Sequence, residues 1–182
     1  MATCFAFLRA INVGGHTVTM EELRRLFEGL SLKKVETFIA SGNVIFESPS
    51  KDMPALQKKI EAHLRKSLGY EVKVFIRSGA ELAAIAPYKP FKQPEVESAT
   101  ALIVALLDVP VPAKGKQALL SFKTPADAFH VHGREAYWLC KIKQNESPFF
   151  KVGFEKALGL PATARNMNTI AKIAAKYASV LE

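Results

Sequence analysis

Cysteine and tryptophan are scarce in this chain, and long apolar runs are missing. Its 182 residues include two cysteines, Cys4 and Cys140, and one tryptophan. Both cysteines lie inside apolar stretches, which favours two buried free thiols over one disulfide and suits a reducing compartment. No apolar run approaches the ~18 residues that a membrane helix needs, and no charged start precedes an apolar leader segment. The sequence therefore predicts a soluble, cytoplasmic protein with no membrane partner.

Motifs that usually identify an enzyme are also missing. No G-x-S-x-G elbow occurs, and the carboxylates are scattered, so no acid–base pair can be assigned. His130 and His132 share one face of a predicted strand, but no cysteine or carboxylate stands at metal-ligand spacing. Cys140, within YWLCK, is assigned to the core rather than to a nucleophile. We therefore expect no catalytic residue, no metal site and no cofactor, and the sequence leaves open whether any reaction is catalysed.

Positive charge is in excess, because 25 Lys and Arg residues outnumber 17 Asp and Glu residues and give a net charge of +8. Such a charge steers anionic partners towards a protein over long range. Hydrophobic residues make up 49% and charged residues 23%, which is an ordinary globular mixture and not a disordered one. The length allows one large domain or two small ones. Composition thus indicates a folded protein that favours anionic partners.

The first half of the chain has the element order strand, helix, strand, strand, helix, strand. Thr19 precedes Glu22 by three residues, and Ser78 precedes Glu81 likewise, which is the spacing of a capping box at a helix start. Such an order is typical of the ferredoxin-like split βαβ unit, in which strands one and two are parallel and strand three lies between them. The predicted strands cover 3–9, 35–40, 43–48 and 70–78, and the second helix covers 52–67.

A proline-rich connection at 87–98 separates two predicted subdomains, 1–86 and 99–182. Pro87, Pro90 and Pro94 exclude a helix interior there, which predicts an extended segment. The second half repeats the order from a strand at 100–108, but a helix from about residue 166 to 180 takes the place of the final strand. We therefore predict an α+β fold of two ferredoxin-like halves, the second ending in a helix, with a repeat of elements and not of residues.

A candidate anion pocket lies in the stretch LRAINVGGHTVT, where the first strand ends. Topology puts the loop after strand one and the turn between strands two and three at the same end of the sheet, beside the first helix N-terminus. The predicted ligand-binding residues there are Arg9, Asn12, Gly14, Gly15, His16, Ser41 and Asn43. The alternative is ordinary turn chemistry, since glycine permits tight reversals and Ser-Gly-Asn suits any hairpin. The stretch also lacks the closing residues of the known phosphate and dinucleotide motifs.

Three stretches, LRAINVGG, TFIASGNVIFES and ATARNMNTI, together resemble the family called Domain of Unknown Function 1697. Two residues depart from its usual pattern: Ala10 stands in place of glycine, and Met167 in place of tryptophan. The resemblance implies a duplicated ferredoxin-like fold and no established activity. It also directs attention to Arg165 and Asn166 as candidate ligand contacts at a second helix start. A structural role, as a helix cap and a clamp, is favoured for both because helix starts ordinarily use such residues.

Three functions remain open. Binding of a small anionic or phosphate-bearing ligand at the glycine loop ranks first, because polar residues gather in loops at one predicted end. A nucleic-acid-binding module is the alternative, although SGNVIFES matches poorly the third strand of RNA-recognition domains. A structural or regulatory module acting through protein contacts is the third. The candidate base-stacking residues are Phe5, Phe7, Phe38, Phe46 and Phe75.

Overall fold

The computed structural model of the chain describes residues 1–39 and 42–181. Two four-stranded sheets organise the described residues. Contacts within the chain define two compact units, Met1–Ile85 with Ile173–Glu182, and Ala86–Lys172. The sequence places residues 173–182 in the second subdomain, whereas their contacts group them with the first unit.

The first unit has the predicted order of elements, with a further short helix after the last strand. Its strand order is β2-β3-β1-β4, and every neighbouring pair is antiparallel. β1 and β2 are consequently parallel with β3 between them, as the crossover rule predicts. The ferredoxin-like arrangement is therefore confirmed. The elements are β1 (Ala2–Leu8), α1 (Met20–Glu28), β2 (Lys33–Thr37), β3 (Asn43–Ser48), α2 (Met53–Leu68), β4 (Val74–Ser78) and α3 (Gly79–Ile85).

Local capping chemistry explains where two helices of this unit begin. The Thr19 hydroxyl accepts a hydrogen bond from the Glu22 N–H at 3.1 Å, and the Glu22 carboxylate accepts one from the Thr19 N–H at 2.9 Å. Ser78 and Glu81 make the same reciprocal pair at the start of α3, at 3.2 and 2.8 Å. Each pair satisfies two backbone groups that a helix start leaves open. Both predicted capping boxes are confirmed.

The sheet of the first unit is apolar on both faces, because consecutive strand residues point to opposite sides. One face packs with residues of α1 and α2 into a core that includes Phe27, Phe46 and Ile60. The other face carries Phe5 and Phe75, which are at most 1% exposed. Burial of one such side chain stabilises the fold by about 1.5–3 kcal/mol. This unit therefore derives its stability from both sides of one sheet.

C-terminal residues complete the first unit. The Tyr177 hydroxyl donates a hydrogen bond to the Glu36 carboxylate at 2.6 Å, and the Lys176 ammonium lies 3.0 Å from the same oxygen. The Tyr177 ring meets the Phe5 ring edge-on, with centroids 5.8 Å apart. A side chain at Gly79 would come within 3.0 Å of the Val180 carbonyl oxygen. Residues 176–180 are thus an integral part of the first unit.

The second unit has the equivalent strand order, β6-β7-β5-β8, again with every neighbouring pair antiparallel. Its central strand β5 is buried over Ile103–Leu107, as its nearly continuous apolar run predicts. α7 follows β8 and begins in this unit. The elements are α4 (Gln93–Glu97), β5 (Ala101–Leu107), α5 (Ala113–Leu120), β6 (Asp127–His132), β7 (Glu135–Cys140), α6 (Pro148–Leu158), β8 (Ala162–Asn166) and α7 (Met167–Lys176).

Two expectations about the second half are wrong. ATARN forms strand β8 in register with β5, so the last helix follows the final strand and does not replace it. The proline-rich connection is not extended throughout, because α4 covers Gln93–Glu97. Pro94 lies in the first turn of α4, where a helix needs no N–H donor from that residue. The repeat of elements between the halves is therefore complete.

Candidate functional site

Three connections meet at one end of the first sheet, and we call their described residues together the glycine end: 9–19, 38–39 with Gly42, and 69–73. The Leu8 N–H donates to the Gly42 carbonyl oxygen at 2.8 Å. The Tyr70 hydroxyl donates to the Ile11 carbonyl oxygen at 3.2 Å, and the Tyr70 ring stacks on the His16 ring with centroids 3.9 Å apart. The structure thus brings together the two loops that topology predicts to meet, and adds a third that carries Tyr70.

Gly42 is a glycine for packing reasons. Its φ is +78°, and an added Cβ would lie 2.8 Å from Ile11 Cγ2 and 3.1 Å from Leu8 Cβ. No ordinary side chain fits a space that narrow, and L residues also avoid that backbone region. For Gly42 the structural interpretation is therefore sufficient.

Gly14 and Gly15 differ from Gly42, because nothing crowds them. Their φ values are +67° and +85°, both residues are exposed, and an added Cβ would meet no atom within 4 Å. Among residues 1–39 and 42–181, their N–H groups have no hydrogen-bond acceptor. Glycine is needed here for its left-handed backbone conformation and not for lack of space, since an added side chain would meet no neighbour. Two backbone donors are thus accessible to a ligand.

Asn12 and His16 shape the loop that carries these glycines. Asn12 Oδ1 accepts a hydrogen bond from the Val18 N–H at 2.7 Å, which closes the loop on itself. The His16 N–H donates to the Val13 carbonyl oxygen at 3.3 Å, and its ring rests against Tyr70. The Asn12 amide oxygen is therefore engaged by the loop, whereas the His16 side chain is exposed.

The predicted hairpin residues have a different outcome. Asn43 is 1% exposed, and its side-chain amide donates to the Phe38 carbonyl oxygen at 2.9 Å. The Phe38 N–H donates in turn to the Asn43 carbonyl oxygen at 2.9 Å, so Asn43 holds the hairpin from inside. Ser41, the other predicted hairpin residue, lies outside the described residues. The structure gives Asn43 a structural role.

The start of α1 is less open to an anion than its position predicts. Glu21 and Glu22 occupy its first turn. Hydrogen bonds from the Thr19 N–H and hydroxyl lower the pKa of the Glu22 carboxyl, which is therefore held ionised beside the helix start. A carboxylate there already complements the positive end of the helix dipole. The exposed amides of the glycine loop, and not the helix start, are the donors that remain.

Arg9 stands exposed at the exit of β1, and its N–H donates to the Lys73 carbonyl oxygen at 2.9 Å. The next residue, Ala10, has a φ of +55°, and Ile39 in the hairpin connection has a φ of +60°. Left-handed backbone costs a non-glycine residue about 1–2 kcal/mol, and such strain often accompanies functional sites.

The second unit shows how short these connections can be. Three connections at the glycine end have counterparts with the same place in the second unit, and all three counterparts are shorter. The strand-to-helix loop has eleven residues (9–19) against five (108–112), the hairpin connection five (38–42) against two (133–134), and the helix-to-strand loop five (69–73) against three (159–161). The shared fold therefore does not require the added length.

Arg165 and Asn166 lie in the second unit and have structural partners there. Arg165 is 8% exposed, and its Nη1 donates to the Thr163 hydroxyl and the Ala164 carbonyl oxygen, both at 2.8 Å. Burial lowers the pKa of the guanidinium to about 10. Asn166 Oδ1 accepts from the Asn168 N–H at 2.9 Å and so caps α7. These contacts account for both residues without a ligand.

A repeat of residues also emerges at these positions, although the sequence suggested none. FIRSGAELAAI (75–85) and TARNMNTIAKI (163–173) each run from the last strand of a unit into the next helix. Arg77 and Arg165 are both buried, and the residue after each caps a helix. Leu82 and Ile170, both fully buried, occupy matching positions in the two helices. The two segments align because each occupies the equivalent strand and helix of its unit.

The aromatic residues proposed for base stacking are mostly inaccessible. Phe5, Phe7, Phe46 and Phe75 are at most 1% exposed. Phe38 is half-buried, and the Lys176 ammonium lies 5.5 Å from the centre of its ring. Stacking needs an open ring face, so the four buried rings provide no platform for bases.

A groove of about 710 Å³ lies along α1 and β2, at the end opposite the glycine end. Two of its positive charges are paired with negative ones: Arg24 Nη1 lies 3.6 Å from Glu28 Oε1, and Lys34 Nζ lies 2.7 Å from Glu47 Oε1. The groove thus presents no surface of one sign. Its lining residues are Arg24, Glu28, Ser31, Leu32, Lys33, Lys34, Val35 and Glu36.

Within the described part of the chain, no cluster of three or more His, Cys, Asp or Glu residues is arranged to hold a metal ion. No helix within residues 1–39 and 42–181 combines the length with the apolar character that a membrane crossing demands. Cys4 and Cys140 are both buried and reduced, and burial raises the pKa of each thiol.

Comparison with known proteins identifies relatives but no activity. The family model described as "Protein of unknown function (DUF1697)" matches residues 1–137. The structure of the conserved bacterial protein SP0830 from Streptococcus pneumoniae is similar, with a TM-score of 0.74 and 21% sequence identity. The similarity covers 97% of this chain and 98% of that protein, and it supports the fold alone. A comparison with curated proteins gives no significant match.

Proposed function

This chain belongs to the DUF1697 family, whose description assigns no function, and we propose from the geometry that its glycine end binds a small anionic, phosphate-bearing ligand. The expanded loop with its two exposed glycine amides carries the proposal. Gly14 and Gly15 are exposed and their N–H groups have no acceptor among the described residues, and the equivalent loop of the second unit builds the same fold with less than half the length. Binding residues usually lie in exposed loops, and a loop that is longer than the fold requires is therefore a candidate binding site.

The chemistry of the loop suits an anion. Backbone N–H groups donate to phosphate oxygens, and glycine allows a ligand to approach the backbone closely. Arg9 adds a permanent charge whose fork of donors matches a phosphate group. The net charge of +8 supports encounter with an anion by long-range steering. We assign no reaction to the site.

Replacement of Arg9 tests this proposal. Arg9→Ala is expected to weaken the binding of inorganic phosphate or pyrophosphate by about 1–3 kcal/mol, the usual effect of losing a charged hydrogen-bond partner. Isothermal titration calorimetry measures the change. Arg25→Ala is the matched control, since it removes the same charge from an exposed position in the last turn of α1. Equal affinities in the two variants, or no phosphate binding by the native chain, would contradict the proposal.

A further inference from the structure

His16 presents an aromatic surface directly beside the proposed anion donors. Its side chain is exposed, and the half-buried Tyr70 ring covers one of its faces at a centroid distance of 3.9 Å and an interplanar angle of 22°. The Tyr70 hydroxyl is bound to the Ile11 carbonyl oxygen, so Tyr70 joins the loop after α2 to the loop after β1. The imidazole is thereby supported on one face, in a side chain that is exposed.

Two apolar side chains also lie exposed at the glycine end. Val13 is 59% exposed and Ile39 is 49% exposed. Contact with apolar surface or an aromatic ring adds no affinity for inorganic phosphate, whereas both contacts add affinity for a ligand with a planar organic group. The exposed apolar and aromatic side chains at the glycine end therefore indicate a ligand that is more than an anion.

We propose that the ligand is a 5′-nucleotide, with its phosphate at the Gly14 and Gly15 amides and its base stacked on the supported His16 ring. The inference rests on the proposed function, since it places the phosphate at the same amides. Gly15 and His16 are consecutive, with Cα atoms about 3.8 Å apart, so the phosphate and base positions are neighbours that a single sugar can connect. Histidine is among the side chains on which proteins stack unpaired bases.

The stacking contact predicts an order of affinities. Loss of one base–aromatic contact typically costs about 1–3 kcal/mol, which corresponds to about 5–150-fold in affinity. Adenosine 5′-monophosphate should therefore bind at least fivefold more tightly than ribose 5-phosphate. Adenosine alone should bind more weakly than either, because it lacks the group that the amides and Arg9 hold.

Calorimetric titration of the full chain with inorganic phosphate, ribose 5-phosphate, adenosine 5′-monophosphate and adenosine provides the test. His16→Ala should lower the affinity for adenosine 5′-monophosphate to that for ribose 5-phosphate and leave the sugar phosphate unaffected. His16→Phe should restore the difference, because it keeps an aromatic face and removes the imidazole nitrogens. His63→Ala is the matched control, since His63 lies on α2 beside Gly29, at the far end of α1. Thermal unfolding verifies that each variant is folded.

The results separate this inference from the proposed function. Failure of all three phosphate-bearing probes to bind would overturn both. Binding of ribose 5-phosphate with equal affinity for adenosine 5′-monophosphate would overturn the nucleotide alone. A His16→Ala variant that weakens all phosphate probes equally would also overturn it, since His16 would then contact the anion. A trinucleotide with a 5′-phosphate distinguishes the sources: tighter binding than the mononucleotide indicates a strand end, and equal binding indicates a free nucleotide.

Discussion

The two units share one strand order and differ in which end of the sheet they extend. At the glycine end the first unit has the longer connections. At the opposite end the second unit does, with six residues (121–126) against four (29–32) and seven (141–147) against four (49–52). Each unit therefore builds the shared fold with short connections at the end where the other unit has long ones. The fold itself does not require the longer connections, so each of them needs its own physical explanation.

The extension in the second unit is explained by burial. Asp127 is 1% exposed, and its carboxylate accepts hydrogen bonds from the Trp138 indole, the Ser147 hydroxyl and the Thr124 hydroxyl, each at 2.8 Å. Thr124 and Ser147 lie in the two longer connections, which wrap this carboxylate. In the described residues the added length of the glycine end shows no comparable buried network, since Gly14 and Gly15 are exposed and their N–H groups have no acceptor there. Satisfaction of polar groups, more than loop length, distinguishes a structural extension from a binding one.

The largest effect is expected from removal of the carboxylate that explains the second unit's extension. Asp127→Ala leaves three donors without their acceptor, two of them on the buried residues Trp138 and Ser147, and should lower the free energy of unfolding by about 3–5 kcal/mol. Asp127→Asn, which keeps the shape and one acceptor oxygen, should cost less. Chemical denaturation measures both. A loss below ~1 kcal/mol for the alanine variant would remove the contrast between the two ends.

Paired glycine substitutions compare the two hairpins directly. Gly42→Ala combines a left-handed φ with a clash against Ile11 and should cost about 2–4 kcal/mol. Gly133→Ala, in the hairpin of the second unit, has a φ of +58° but only a flexible Glu135 oxygen at 3.8 Å, and should cost about 1 kcal/mol. Equal losses of stability would show that packing against the glycine loop does not constrain Gly42.

Deletion of residues 12–17 would give the first unit a five-residue connection like that of the second. Asn12 Oδ1 already lies 2.7 Å from the Val18 N–H, so the deletion joins positions that are close. The shorter loop gains about 0.7 kcal/mol in closure entropy, which offsets part of the lost loop contacts. We expect a folded protein by circular dichroism and loss of phosphate binding by calorimetry. Retained phosphate binding would place the site elsewhere.

Ala10→Gly should raise stability by about 1 kcal/mol, because glycine adopts the +55° φ of this position without strain. Thermal or chemical unfolding detects the gain. Ala6→Gly, in the middle of β1, is a control of the same chemistry and should destabilise the protein. A loss of stability at both positions would mean that the left-handed conformation at residue 10 carries no strain.

The smallest effect concerns a second histidine–tyrosine contact. In the second unit the Tyr88 ring stacks on His132, and the Tyr88 hydroxyl lies 2.7 Å from His130 Nε2. Burial, with the nearby His132 and Lys116, lowers the pKa of His130 below its ordinary value of 6.5. At pH values below 6.5 the unfolded chain binds a proton at His130 that the folded chain does not yet bind. The free energy of unfolding should therefore decrease as the pH is lowered through this range. His130→Gln should flatten this dependence in denaturation curves recorded from pH 7 downwards.

Local signals in the sequence predicted local structure well, and pairing between distant segments explains the failures. The Thr19–Glu22 capping box depends on four consecutive residues, so its helix start could be predicted. ATARN becomes a strand because β5 supplies its partner, which its own short pattern of small and polar residues does not indicate. Topology alone predicted that the glycine loop meets the hairpin. The Tyr70 stack and the burial of Asn43 depend on side-chain packing, which no sequence spacing encodes.

The position of residues 173–181 in the fold has a consequence for synthesis. Tyr177 and Lys176 bind Glu36, and Val180 lies against Gly79, so the first unit lacks part of its structure until these residues have been made. The second unit, residues 86–172, is translated before them. Domains ordinarily fold in the order in which they emerge. Here the N-terminal half is finished after the second unit has been made, and a chain truncated before residue 173 would leave that half without the Tyr177, Lys176 and Val180 contacts.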